Sequence, residues 1–156
     1  MSKILFSVLM FFLSCSAVAG ELWQGLDSGA YTQQVIKKFP SAKRDSNRDI
    51  PKEFDNRLVM HNYLVFGKPF DVYFLMKDNK LKEVLLNIEM ADVDALWPNA
   101  FDALVLNYGA PSYSDSDYGI SMAEWYFNGT EISLLSDGEN LFISYSTNIV
   151  DNAKKL

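Results

Sequence analysis

The feature that most limits what this chain can become is a period of two between Phe70 and Glu89. Phe70, Val72, Phe74 and Met76 alternate with Asp71, Tyr73 and Leu75, and then Val84, Leu86 and Ile88 alternate with Glu83, Leu85, Asn87 and Glu89. Successive side chains of a strand point to opposite faces, so two such runs in succession call for an antiparallel sheet with one oilier, covered face. Turn signals divide the runs. Gly67-Lys68-Pro69 separates residues 58–66 from 70–77, and Asp78-Asn79 separates the latter from 81–90. Three further strands are expected at 122–127, 130–135 and 141–147. Asn128-Gly129, the strongest two-residue hairpin signal, joins the first two, and Asp137-Gly138 supports the next turn.

Each group of strands is preceded by a helical pattern. In the first, Tyr31, Val35 and Phe39 recur at i, i+4 and i+8, Asp27 or Ser28 can cap the start, and Lys37 and Lys38 complement the dipole before Pro40 stops the helix. The second carries Val93, Leu96, Trp97, Phe101, Leu104, Val105 and Tyr108 on one stripe. Pro98 either opens a second helix or kinks a single one, and Gly109 with Pro111 ends it. Residues 41–56 are polar and charged and read as a solvated loop, as does the stretch 112–118, SYSDSDY. The order helix then three-stranded meander thus occurs twice, at about 28–90 and 92–147. The expected class is α+β, made of tandem helix-plus-meander units with the helices packed on one face of an antiparallel sheet.

The first nineteen residues read as a cleavable export signal. Lys3 is the positive region, Ile4 to Leu13 the apolar region, and Ala17-Val18-Ala19 the small-residue cleavage site, so residues 20–156 form the single mature domain. The apolar run is too short to span a bilayer of about 30 Å, and no later run approaches the roughly 20 apolar residues a span needs. The expected location is the periplasm or the exterior. Cys15, the only cysteine, leaves a second course open, in which it is lipidated and anchors an envelope lipoprotein. Cleavage after Ala19 leaves a chain with no thiol and no disulfide. It also leaves thirteen basic against twenty acidic residues, a net charge of −7. Such a surface disfavours nucleic acid and anionic lipid, and the basic residues Lys37, Lys38, Lys43, Arg44 and Arg48 sit among acids.

Several segments together bear a family likeness. They are the Trp23 to Gly25 loop, the helix closing on Phe39-Pro40, the hairpins FDVYFLMKDNKLKEVLLNIE, the helix ending NYGAP, and the spacing of Trp125, Ile132 and Leu134. With these the chain resembles bacterial envelope proteins of the beta-lactamase inhibitor protein-like group, and each half resembles the small outer-membrane lipoprotein unit typified by BamE. The resemblance implies helices on one sheet face and a free opposite face that holds a protein partner, as in inhibitors and assembly factors. It carries over no contact residue, and the two disulfides of the secreted inhibitor have no counterpart here.

Chemistry-bearing residues are sparse. His61 is the only histidine, and the chain left by cleavage after Ala19 has no cysteine and no G-x-S-x-G elbow to make a zinc site or triad with it, so it reads as structural. Asp92 with Asp94, Asp115 with Asp117, or Glu83 with Glu89 could supply the two carboxylates of a cell-wall hydrolase. Helix capping, loop solvation and strand exposure account for them more simply. Asp115-Ser116-Asp117 lacks the glycine and distal glutamate of a calcium loop. Asn128-Gly129-Thr130 fits a glycosylation acceptor, although its turn chemistry explains it. No catalytic residue, metal or cofactor is therefore expected.

Aromatic residues are the remaining signal. Phe74, Trp125 and Phe127 should be core if Val72 and Ile132 face the helices. Alternation then puts Tyr73, Leu75, Leu85, Met122, Glu124, Tyr126, Leu135 and Phe142 on the opposite face. So apolar a face marks an interaction surface unless the 41–56 loop or a second copy of the chain covers it. The function expected is that of an exported, non-enzymatic binding protein that grips a protein partner through this face.

Overall fold

The computed structural model describes residues 21–45, 50–91 and 93–147. The expected leader with Cys15, residues 46–49 with Arg48, Asp92 and residues 148–156 lie outside that description. The chain begins with a small hairpin, β1 (Glu21–Trp23) and β2 (Leu26–Asp27), followed by α1 (Thr32–Lys38). A two-residue strand β3 (Lys43–Arg44) leads to the meander β4 (Asn56–Val65), β5 (Lys68–Lys77) and β6 (Lys80–Glu89). A 3-10 turn (Val93–Leu96) and α2 (Trp97–Tyr108) carry the chain to β7 (Tyr113–Asp117), β8 (Ile120–Phe127), β9 (Thr130–Ser136) and β10 (Asn140–Thr147).

The expected tandem α+β class is corrected by this architecture. Strands account for 54% of the structure and helices for 19%, and strands β3 to β10 join one eight-stranded antiparallel sheet in the order β3-β4-β5-β6-β10-β9-β8-β7. The join is made by β10 against β6, from Asn140↔Glu89 to Ser146↔Glu83. Two separate meanders would each expose an inner edge of unpaired amides, and pairing β6 with β10 removes both. The polar stretch SYSDSDY is the edge strand β7, paired from Tyr113↔Glu124 to Asp117↔Ile120. Its serines and aspartates suit an edge that must stay soluble while bonding on one side only. Lys43–Arg44 does the same at the far edge.

The turn chemistry is local and explains the register. Asn128 and Gly129 have φ of 50° and 81°, the paired positive values of a type I′ turn. Phe66 and Gly67 form the equivalent turn, so Lys68 and Pro69 belong to β5, where the proline sits at the strand start beyond the reach of β6. Two bulges adjust the alternation. Lys82 is the extra residue that lets both Leu81 and Val84 face the core, and His61 with Asn62 stands opposite Asp71 between Met60↔Val72 and Tyr63↔Phe70.

The helices and the β1–β2 hairpin cover one sheet face. Helix α1 is shorter than its apolar spacing suggests, because Gly29 and Ala30 are spent on backbone bonds to Leu81. Its first turn is closed by Gln34, whose Oε1 accepts from the Tyr31 amide at 2.7 Å, in place of the expected Asp27 or Ser28 cap. Pro98 lies in the first turn of α2, and the Gly109 amide, at φ 83°, bonds Val105 at the helix end. Under α1, Trp23 stacks on Phe39 at 5.4 Å and Phe39 meets Phe74 at 5.5 Å; under α2, Phe101 meets Trp125 at 5.8 Å. Burying each such ring contributes about 2–3 kcal/mol, which is what holds the helices to the sheet. Phe127 departs from its expected place in the core. It points to the helix side, but at the tip of the β8–β9 hairpin it passes the end of α2 and stays 44% exposed against Tyr108.

Candidate functional site: the uncovered sheet face

On the face opposite the helices the register lines up three rows. One runs Val59, Tyr73, Leu85, Ser144, Ser133, Glu124 and Tyr113. The next runs Asp71, Asn87, Phe142, Leu135, Met122 and Asp115, and the third Arg57, Leu75, Glu83, Ser146, Glu131 and Tyr126. The sequence-derived residues Tyr73, Leu75, Leu85, Met122, Glu124, Tyr126 and Phe142 therefore all share this face, with Leu135 between Phe142 and Met122. Strand alternation alone brings them together from five strands.

Most of the face is accessible. Tyr73, Leu85, Met122, Glu124, Leu135 and Phe142 are partly exposed, and Tyr126 is 53% exposed near the β8–β9 turn. Leu75 is the exception at 4%, with Val59 at 7%. The segment before β4 lies along this end of the face. Arg57 pairs with Asp45 at 2.6 Å, its guanidinium lies 5.0 Å from the Tyr73 ring centre, and the Asp55 amide bonds Met76. Asp45 and Asp55 thus border the β4–β5 corner, and the area from β6 to β8 is free of cover among the described residues. That area spans about 14 Å across the four strands β6, β10, β9 and β8 at the usual spacing and about 20 Å along them, roughly 300 Å².

The field over this face is negative. Among the described residues Glu83, Glu124 and Glu131 are in no ion pair. Burial, followed by the charges of Glu53 and Glu131, raises the Glu83 carboxyl above its ordinary range. The Tyr126 hydroxyl is pushed up by Glu131 and then Glu124, and that of Tyr113 by its hydrogen bond to Asp115. Burial and Asp71 raise Tyr73, with Arg57 working against them. A face of aromatic and aliphatic side chains set among uncompensated acids suits a surface that presents Lys or Arg around an apolar centre.

The other sequence candidates stay dispersed. His61 is exposed at the bulge, with Nδ1 2.9 Å from Asp71 Oδ1. Glu83 and Glu89 share a face but stand six residues apart on one strand, about 20 Å. Asp94 accepts from Ser136 Oγ at 3.0 Å, and Asp92 lies outside the described residues. Asp115 and Asp117 bond the amides of Ser116 and Tyr118 within the β7–β8 hairpin. No group of three metal-ligating side chains occurs among the described residues, and none of their helices is long and apolar enough to cross a membrane. Asp71, Glu83 and Glu131 belong to the face although sequence reasoning did not choose them for it. The alternation that selected Tyr73 and Leu85 already contains Asp71 and Glu83.

Comparison with protein-family models, with curated proteins and with solved structures yields no match to this chain.

Proposed function

We propose that this chain is an exported, non-enzymatic binding protein of the bacterial periplasm that holds a protein partner on the uncovered sheet face. The observation that carries the proposal is the contiguous block of Tyr73, Leu85, Phe142, Leu135 and Met122, partly exposed, bordered by Glu83, Glu124 and Glu131 and covered by no described element. The largest apolar patch of a monomer is often a functional one, above all where charged residues rim it. The partner's chemistry follows from the charges. It presents an apolar centre that packs on Phe142 and Leu135, with basic side chains that reach Glu83, Glu124 and Glu131. Phe142 at the centre and tyrosines at the margin supply large, stiff contact area, the usual source of interface hot spots.

The test uses Tyr73→Ala, Tyr126→Ala and Phe142→Ala in the mature chain, with capture of a partner from periplasmic extract as the readout. The variants are expected to keep the wild-type circular dichroism and to lose at least about tenfold in partner affinity, as hot-spot truncations of roughly 1.4 kcal/mol or more do. Variants that unfold, or that capture the partner as the parent does, count against the face as the binding surface.

A further inference from the structure

Buried structure begins almost at once after the expected export cleavage. Counted from Gly20, Leu22 is the third residue and Trp23 the fourth, yet they are only 3% and 6% exposed. The β1–β2 hairpin places them there. Gln24 and Gly25, at φ 49° and 71°, make a tight turn that sets Trp23 opposite Leu26 and Glu21 opposite Asp27, and the irregular register between Glu21 and Trp23 turns both Leu22 and Trp23 inward. Trp23 then meets Phe39, Tyr63 and Phe74 with ring centres 5.4, 5.5 and 6.0 Å away, so it is the shared member of an aromatic cluster drawn from the end of α1, from β4 and from β5. Glu21 is held as well, its Oε1 accepting the Gly25 amide at 2.5 Å.

A peptidase that cuts after Ala19 takes the residues on both sides of the cut as an extended strand in its own groove. Between that bond and Leu22 stand only Gly20 and Glu21, which span about 7 Å when fully extended. Packed layers of protein lie about 10 Å apart, so the wall of the groove and the folded domain compete for the same space. With the hairpin docked, the bond is reached only through states in which Leu22 and Trp23 have left the core, and cutting follows the population of those states. We propose that the leader is removed before the β1–β2 hairpin docks. Hydrolysis of the Ala19–Gly20 amide, with one water divided between the new Ala19 carboxyl and the new Gly20 amine, then comes ahead of the closing of the aromatic cluster, and a precursor that folds first is locked against processing. This order rests on the reading of residues 1–19 as an export signal and is independent of the partner face.

The test compares the full chain with the same chain carrying a spacer of about eight Gly and Ser residues between Gly20 and Glu21. Both are folded first, checked by circular dichroism, and then mixed with a purified bacterial leader peptidase in detergent. The spacer chain is expected to be cut after Ala19 at least about tenfold faster than the parent, because its bond is reached without opening the core. Trp23→Ala, which removes the ring that anchors the hairpin, should speed the cutting of the spacer-free chain toward the same rate. Equal rates for parent and spacer chains, or a Trp23→Ala chain cut no faster than the parent, overturn the proposal and leave the export reading standing. Failure of the spacer chain to be cut at all overturns the export reading and the proposal with it.

Discussion

Arg57 and Asp45 form a 2.6 Å ion pair that ties the segment before β4 to the margin of the open sheet face, and neither side chain is more than 17% exposed. The same guanidinium lies over Tyr73, while Leu75, which is paired with Arg57 across the strands, is buried. The pair therefore sets how much of the face a partner can reach.

Replacing Arg57 by Met keeps the apolar stem and removes the charge, leaving Asp45 without this counter-ion. The expected loss is about 1–3 kcal/mol in urea unfolding, below the full cost for a deeply buried pair because both groups retain some solvent. Leu75 and Val59 should become accessible, seen as increased binding of an apolar dye to the folded variant. Unchanged stability together with unchanged dye binding would show that the segment is held by something else.

Glu83 gives a pH signature. Its folded-state pKa is raised by burial and by Glu53 and Glu131, so the folded chain holds this proton more tightly than the unfolded chain does. Stability therefore falls as pH rises from the unfolded value near 4.5 through the raised folded value, and the penalty is fully present above it. Glu83→Gln should raise the melting temperature at neutral pH and flatten this part of the profile. A variant less stable than the parent at pH 7 contradicts the sign.

Trp125 fixes the α2 end to the sheet, because its Nε1 donates to the Gly109 carbonyl at 2.9 Å while the ring is buried against Phe101. Trp125→Phe keeps a ring but loses this bond and some volume, and should cost about 2–4 kcal/mol in denaturant unfolding. A cost under about 0.5 kcal/mol would place the anchorage of α2 elsewhere.

The face assignments were legible because strand alternation is local. Phe70 to Met76 and Val84 to Ile88 declare their sides with no knowledge of the rest of the chain, and Asn128-Gly129 fixes a register by its own backbone preference. The fold class was not legible, because the pairing of β6 with β10 joins segments about fifty to sixty residues apart and depends on edge satisfaction, which no local pattern encodes. Ser114 and Ser116 made β7 look like a loop, since an exposed edge strand has no apolar face to advertise it.

The most direct test of the proposed partner face is site-specific photocrosslinking in cells that produce the chain, with a photoreactive phenylalanine analogue placed in turn at Leu85, Phe142 and Leu106. Leu85 and Phe142 lie on the open face, whereas Leu106 projects from α2 on the other side and is exposed. A single discrete protein adduct from Leu85 and Phe142, absent from Leu106, is the predicted result. Adducts from Leu106 alone, or none from the two face positions in folded protein, would contradict it.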